Sequence, residues 1–151
     1  VSGRLGMERQ PKNRTDDGKA MGRKAISEYK EIRPVVQMGD IYRLQSPYDK
    51  KGVASLMYVS EDKAKVVWYW WKLETFMYQH LPCIKMAGLD ADKMYRVREL
   101  NRIDSKPLDC EGKAYRAADL MEHGLEMPTN DNSDWDKSTS WASRVLYLEA
   151  I

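Results

Sequence analysis

Carboxylates, histidines and cysteines are the residues here whose types could do chemistry. Paired carboxylates about 5 to 10 Å apart can act as acid and nucleophile or base, as in glycoside hydrolysis. Asp90 and Asp92 flank a turn that begins Gly88-Leu89, where Asp commonly bonds its own backbone. Glu61-Asp62 falls in an expected hairpin turn, and Asp131, Asp134 and Asp136 fall in a polar stretch that reads as surface loop. His80 and His123 could serve as bases, but neither has a Ser or Cys nucleophile and an orienting acid beside it in sequence. No Gly-x-Ser-x-Gly turn is present, and Gly3-Arg4-Leu5-Gly6 lacks the third glycine or lysine of a phosphate loop. Cys83 and Cys110, with only two histidines, lack the paired spacing of a zinc site. They are expected as two buried thiols, with a disulfide as the alternative in an oxidising compartment. The sequence therefore nominates no catalytic residue, no cofactor-binding residue and no metal ligand.

Aromatic residues offer a different chemistry. Five Trp and nine Tyr stand beside a single Phe, a bias that suits either sugar stacking or broad amphipathic contacts. Trp68, Trp70 and Trp71, with Trp135 and Trp141, could form the platform of a carbohydrate-binding module. Core packing and a domain interface are the other reading, because three of the five occupy four consecutive positions. Lys and Arg total 25 against 23 Asp and Glu, so a net charge of +2 supplies no broad field for nucleic acid or an anionic membrane. The short basic groups, Lys50-Lys51 and Arg96, Arg98 and Arg102, read as solvated faces. No apolar run approaches the roughly 20 residues that span a bilayer. Neither a nucleic acid nor a membrane is expected as a partner.

The elements that would position these residues are legible from periodicity. Thr15 followed by Asp16 and Asp17 reads as a helix start, and Met21, Ala25, Tyr29, Ile32 and Val36 then recur at spacings of three and four. Pro34 should kink or restart this helix, and Gly39 should end it in a left-handed conformation. Beyond Gly39 the period becomes two. Residues 41–45, 53–60, 64–74, 81–86, 94–102 and 143–150 read as strands, and 120–127 as a further short one. Their number and spacing indicate an antiparallel β-sandwich of Greek-key type. Val66, Trp68 and Trp70 should face one way, and Val67, Tyr69 and Trp71 the other. Both faces of that strand are apolar, so both should be covered.

The order of these segments carries a resemblance. The block from Ser27 to Leu44, with Tyr29-Lys30, Arg33 and Tyr42-Arg43-Leu44, followed by Ser46-Pro47-Tyr48, is similar to the junction between barrel and C-terminal domain in family 36 glycoside hydrolases. These are mostly bacterial α-galactosidases. Met57-Tyr58-Val59-Ser60, Gly88-Leu89-Asp90, Tyr95-Arg96-Val97, Leu120-Met121 and Gly124-Leu125 match in turn, so the resemblance covers nearly the whole chain. It implies that residues 1–39 are the last strand and last helix of a catalytic (β/α)₈ barrel, and that 40–151 are a C-terminal β-sandwich. The family's two catalytic aspartates would lie upstream of Val1, leaving this chain inactive alone. Its partners would be the parent barrel and, for the parent, an α-galactoside, within a homo-oligomer; the bacterial compartment, cytoplasm or periplasm, stays open. The helix stripe would pack against barrel elements, and the second face of the Trp strand would meet a docking partner. Gly18 and Gly22 depart from a good helix sequence by about 1 kcal/mol each.

Overall fold

The computed structural model describes residues 15–49, 52–73, 83–100, 102, 107–126 and 142–151. Helix α1 (Asp16–Met38) begins as expected, with Thr15 accepting from the Gly18 amide at 3.2 Å and two acids in the first turn. Pro34 lies inside the helix, which continues past it to Met38. The missing proline donor costs one helical bond, and the buried Ile32, Val35 and Val36 hold both sides of it against the sheet. Gly39 does cap the helix, but with φ −79° and ψ 163° it is extended rather than left-handed. Glycine serves here for close approach, because a Cβ would come within 2.5 Å of the Val35 and Val59 carbonyl oxygens.

Strands β1 (Asp40–Gln45), β2 (Val53–Val59) and β3 (Lys65–Lys72) run as a meander, with a register shift between Arg43 and Gln45. Strands β4 (Met94–Glu99) and β5 (Ala114–Arg116), helix α2 (Ala117–Glu122) and β6 (Ala142–Ala150) follow. All six strands pair antiparallel in the order β1-β2-β3-β6-β4-β5. The last strand thus returns to the middle of the sheet, between β3 and β4, and the described strands form one six-stranded sheet rather than two facing sheets. The mainly β, antiparallel class with one leading helix matches the expectation.

Opposite the sheet the second layer is less regular than the sequence suggests. In the stretch expected as a strand over 81–86, the described residues contribute only the isolated bridge of Ile84 to Leu125. The described part of the stretch 120–127 is not a strand: Ala117-Ala118-Asp119-Leu120-Met121-Glu122 forms α2, as its helix formers favour, and Leu125 adds only its bridge to Ile84. Gly124 follows at φ +79°, packed so tightly that a Cβ would meet the Ile84 carbonyl oxygen at 2.5 Å. The three-residue β5 is too short to leave a periodic signal.

The sheet buries both faces. On one, Met57, Trp68, Trp70, Tyr95, Val97, Leu146 and Leu148 form the main core with Ile84, Met86, Leu89, Leu108 and the inner side of α2. On the other, Tyr29, Ile32, Val35 and Val36 of α1 lie on Val67, Tyr69, Leu100, Val145 and Tyr147. The two-sided burial of β3 is therefore as expected, but its cover is not. The stripe of α1 packs on this sheet rather than on outside elements, and Met21 at the N-terminal end of that stripe is 49% exposed. The sequence pattern states that both partners need covering; only the three-dimensional path of the chain pairs them.

Candidate functional site

Two of the nominated acids, Asp62 and Asp90, are held by their own turns. Asp62 Oδ1 accepts from Ser60 Oγ at 2.6 Å and from the Ala64 amide at 3.0 Å. The Ser60 bond first, and the Ala64 amide second, hold its carboxyl below the usual range. Asp90 Oδ1 accepts from the Asp92 amide at 3.3 Å, and Lys93 Nζ lies 3.7 Å from Asp90 Oδ2 while donating to the Asp62 carbonyl at 2.8 Å. Tyr95 Oη donates to the Lys63 carbonyl at 2.6 Å, tying the 60–64 turn to the strand beside it. These contacts fix turns. Asp131, Asp134, Asp136, His80, Trp135, Trp141 and Gly3 to Gly6 lie outside the described residues.

His123 is exposed at the C-terminal end of α2. Cys110 is a buried free thiol, and Cys83 is free but exposed, which corrects the expectation that both would be buried. Burial pushes the Cys110 thiol up to about 11, so it stays protonated and unreactive near neutral pH. Among the described residues no group of three His, Cys, Asp or Glu side chains could hold a metal ion. No described helix is long and apolar enough to cross a membrane.

The aromatic tract has no free stacking face at Trp68 or Trp70, which are 0% and 2% exposed. Trp68 Nε1 donates to Ser55 Oγ at 2.6 Å, and that hydroxyl donates in turn to the Tyr69 carbonyl at 3.1 Å. On the α1 side, Trp71 is half-buried and stacks on Tyr69, with ring centroids 5.7 Å apart at 11°, and Tyr58 meets Tyr69 edge-on at 6.1 Å. Burial raises the Tyr69 hydroxyl well above its ordinary value. A sugar could reach neither Trp68 nor Trp70 without opening the core.

Two charged pairings were not legible in the sequence, where Arg98 reads only as part of a solvated basic face. Arg98 of β4 lies over the Tyr147 ring at 5.3 Å and pairs with Glu31 of α1, fastening helix to sheet. Nearby Glu28 is raised by burial, against the opposing pull of Lys24 and Arg98. Deeper in, Arg144 Nη1 donates to Glu99 Oε1 at 2.7 Å, with the Glu99 side chain fully buried. The Glu99 amide donates to Glu111 Oε2 at 2.6 Å. A signal existed for Glu99: in β4 it shares the inward parity of Tyr95 and Val97, where an acid must find a cation. Its partner, 45 residues away, had none.

A sequence profile of the glycosyl hydrolase family 36 C-terminal domain matches residues 53–148. This chain belongs to that family. The likeness of the chain to whole enzymes extends beyond the residues that the profile matches. Over 149 residues the chain is 29% identical to the probable α-galactosidase G of Aspergillus terreus, covering 99% of this chain and 18% of that protein. Against the α-galactosidase AgaA of Geobacillus stearothermophilus it is 28% identical over 123 residues, 80% of this chain and 17% of the relative. The solved α-galactosidase of Lactobacillus brevis shares the fold at a TM-score of 0.76 and 21% identity, across 94% of this chain and 18% of that one. The chain thus spans less than a fifth of the length of these relatives. Coverage of 94% takes in most of α1 as well as the sheet, so the fold shared with the solved enzyme includes the helix.

Proposed function

We propose that this chain is the non-catalytic C-terminal β-domain of an α-galactosidase, a retaining glycosidase that releases terminal α-linked galactose. In this reading residues 1–39 close the catalytic barrel and 40–151 form the domain that lies against it and stabilises it. The observation that carries the proposal is the family match over 53–148, in a chain that covers under a fifth of relatives named as α-galactosidases. Asp62, Asp90 and Glu99 support it, because each is held by local donors or an ion pair. The helix α1 then has two duties: its buried stripe holds the sheet, and its opposite side is available to the barrel.

Incubating the purified chain with an aryl α-galactoside should release no phenol above the buffer blank. Turnover that survives repeated purification would refute the assignment. The carbohydrate-binding reading is disfavoured by the burial of Trp68 and Trp70.

A further inference from the structure

At the end of the main core away from the 60–64 turn, an otherwise apolar sheet face carries a row of polar side chains. Ser55 of β2 pairs in register with Trp70 of β3, which pairs with Arg144 of β6. Glu99 of β4 reaches the same place, since its Oε1 accepts from Arg144 Nη1 at 2.7 Å. Trp70 is 2% exposed, and the Glu99 side chain is fully buried. Among the described residues, Trp70 Nε1 and Glu99 Oε2 nevertheless have no hydrogen-bonding partner. Two positions earlier on the same strand the fold does satisfy an indole, through the bond from Trp68 Nε1 to Ser55 Oγ.

A buried donor or acceptor without a partner is costly, and folded proteins leave few of them. Here one is a donor and the other an acceptor; Glu99 pairs with Arg144, and Trp70 is the register neighbour of Arg144 on β3. The chemistry that would satisfy both is narrow. An anion would be repelled by Glu99, and a metal cation cannot accept from an indole N–H. A neutral hydroxyl accepts and donates at once. Burial of both atoms limits its size to that of water, which needs two to four polar partners to be held inside a protein.

We propose that this end of the core is a binding site for an internal hydroxyl ligand, one or two water molecules in the closed protein. The ligand accepts from Trp70 Nε1–H and donates to Glu99 Oε2 beside Arg144. It joins β3 to β4 across β6, through a connection that the backbone ladder does not make.

The test is hydration spectroscopy on the ¹⁵N-labelled chain, with the Trp70 indole identified through its contacts to Ser55. A cross-peak between Trp70 Hε1 and a long-lived water is expected, and Glu99→Gln should shift the Trp70 indole resonance while leaving that of Trp68 in place. No water contact at Trp70 Hε1 in the native protein overturns the proposal, whether or not the variant folds. So does a Trp70 resonance indifferent to Glu99→Gln. Adding galactose separates the two sources of a hydroxyl. An unchanged Trp70 signal supports water, whereas a saturable shift that Glu99→Gln abolishes overturns water in favour of a sugar hydroxyl.

Discussion

Removing the Glu99 carboxylate would leave the Arg144 guanidinium without its 2.7 Å partner at a site where the carboxylate is fully buried. Breaking one side of such a pair typically costs about 3 to 5 kcal/mol, and the 24% exposure of the Arg144 side chain places this case near the lower end. Glu99→Ala should therefore lower the urea midpoint by the equivalent of about 3 kcal/mol. Combined with Arg144→Met it should recover part of that loss. Gly39 makes a steric claim instead, because its φ is accessible to any residue while its surroundings leave no room. Gly39→Ala should cost about 1 to 3 kcal/mol by overpacking, seen as a lower thermal midpoint. The two thiols should separate cleanly in a labelling experiment: iodoacetamide at pH 8 alkylates exposed Cys83, and Cys110 reacts only after denaturation. The Cys110 thiol ionises near its ordinary value in the unfolded chain but only near 11 when folded. Between those values the native state holds the extra proton, so stability is intact below about pH 9 and falls by up to about 2 kcal/mol as the pH rises to 11. Tyr147, pushed up to about 12 chiefly by burial, extends the decline in the same direction. Urea midpoints measured across pH 8 to 11 check this. A flat profile would mean that burial does not perturb the thiol.

At the scale of elements, α1 and β3 depend on each other. Ile32 is 4% exposed, and it rests with Tyr29, Val35 and Val36 on Val67, Tyr69, Val145 and Tyr147. Ile32→Ala should cost about 2 to 4 kcal/mol, the range for large-to-small substitutions in a packed core. Truncated derivatives lacking α1 should bind a hydrophobic dye, since the apolar side of β3 and β6 would then face water. A midpoint within error of the native chain for Ile32→Ala would show that the helix is not seated as described. Most of this level was readable beforehand. The cap at Thr15, the period of the helix, the change to alternation after Gly39 and the central strands all follow from local side-chain chemistry. The failures share one cause. The segments 81–86 and 120–127 carry apolar runs too short to separate strand from helix by period, so burial in the second layer, not propensity, decided their form.

For the whole molecule, the near-balance of charge set against two apolar faces on one strand describes a unit built for packing. Inactivity toward an aryl α-galactoside is the expectation at this scale, and it concerns the isolated chain alone. The resemblance to family 36 was legible in ordered blocks such as Tyr42-Arg43-Leu44 of β1 and Gly88-Leu89-Asp90, where Gly88 takes the positive φ of 72° that a turn can demand. What the sequence by itself determined was the class of fold, the family and the need to cover both sides of the tract from Val66 to Trp71. Those properties follow from side-chain period and polarity, which are local. Only the tertiary structure decided that α1 covers one side, that Trp68 and Trp70 are core rather than platform, and that Glu99 meets Arg144 across two strands. Such pairings join residues dozens of positions apart, and no spacing within either segment encodes which distant segment will lie beside it.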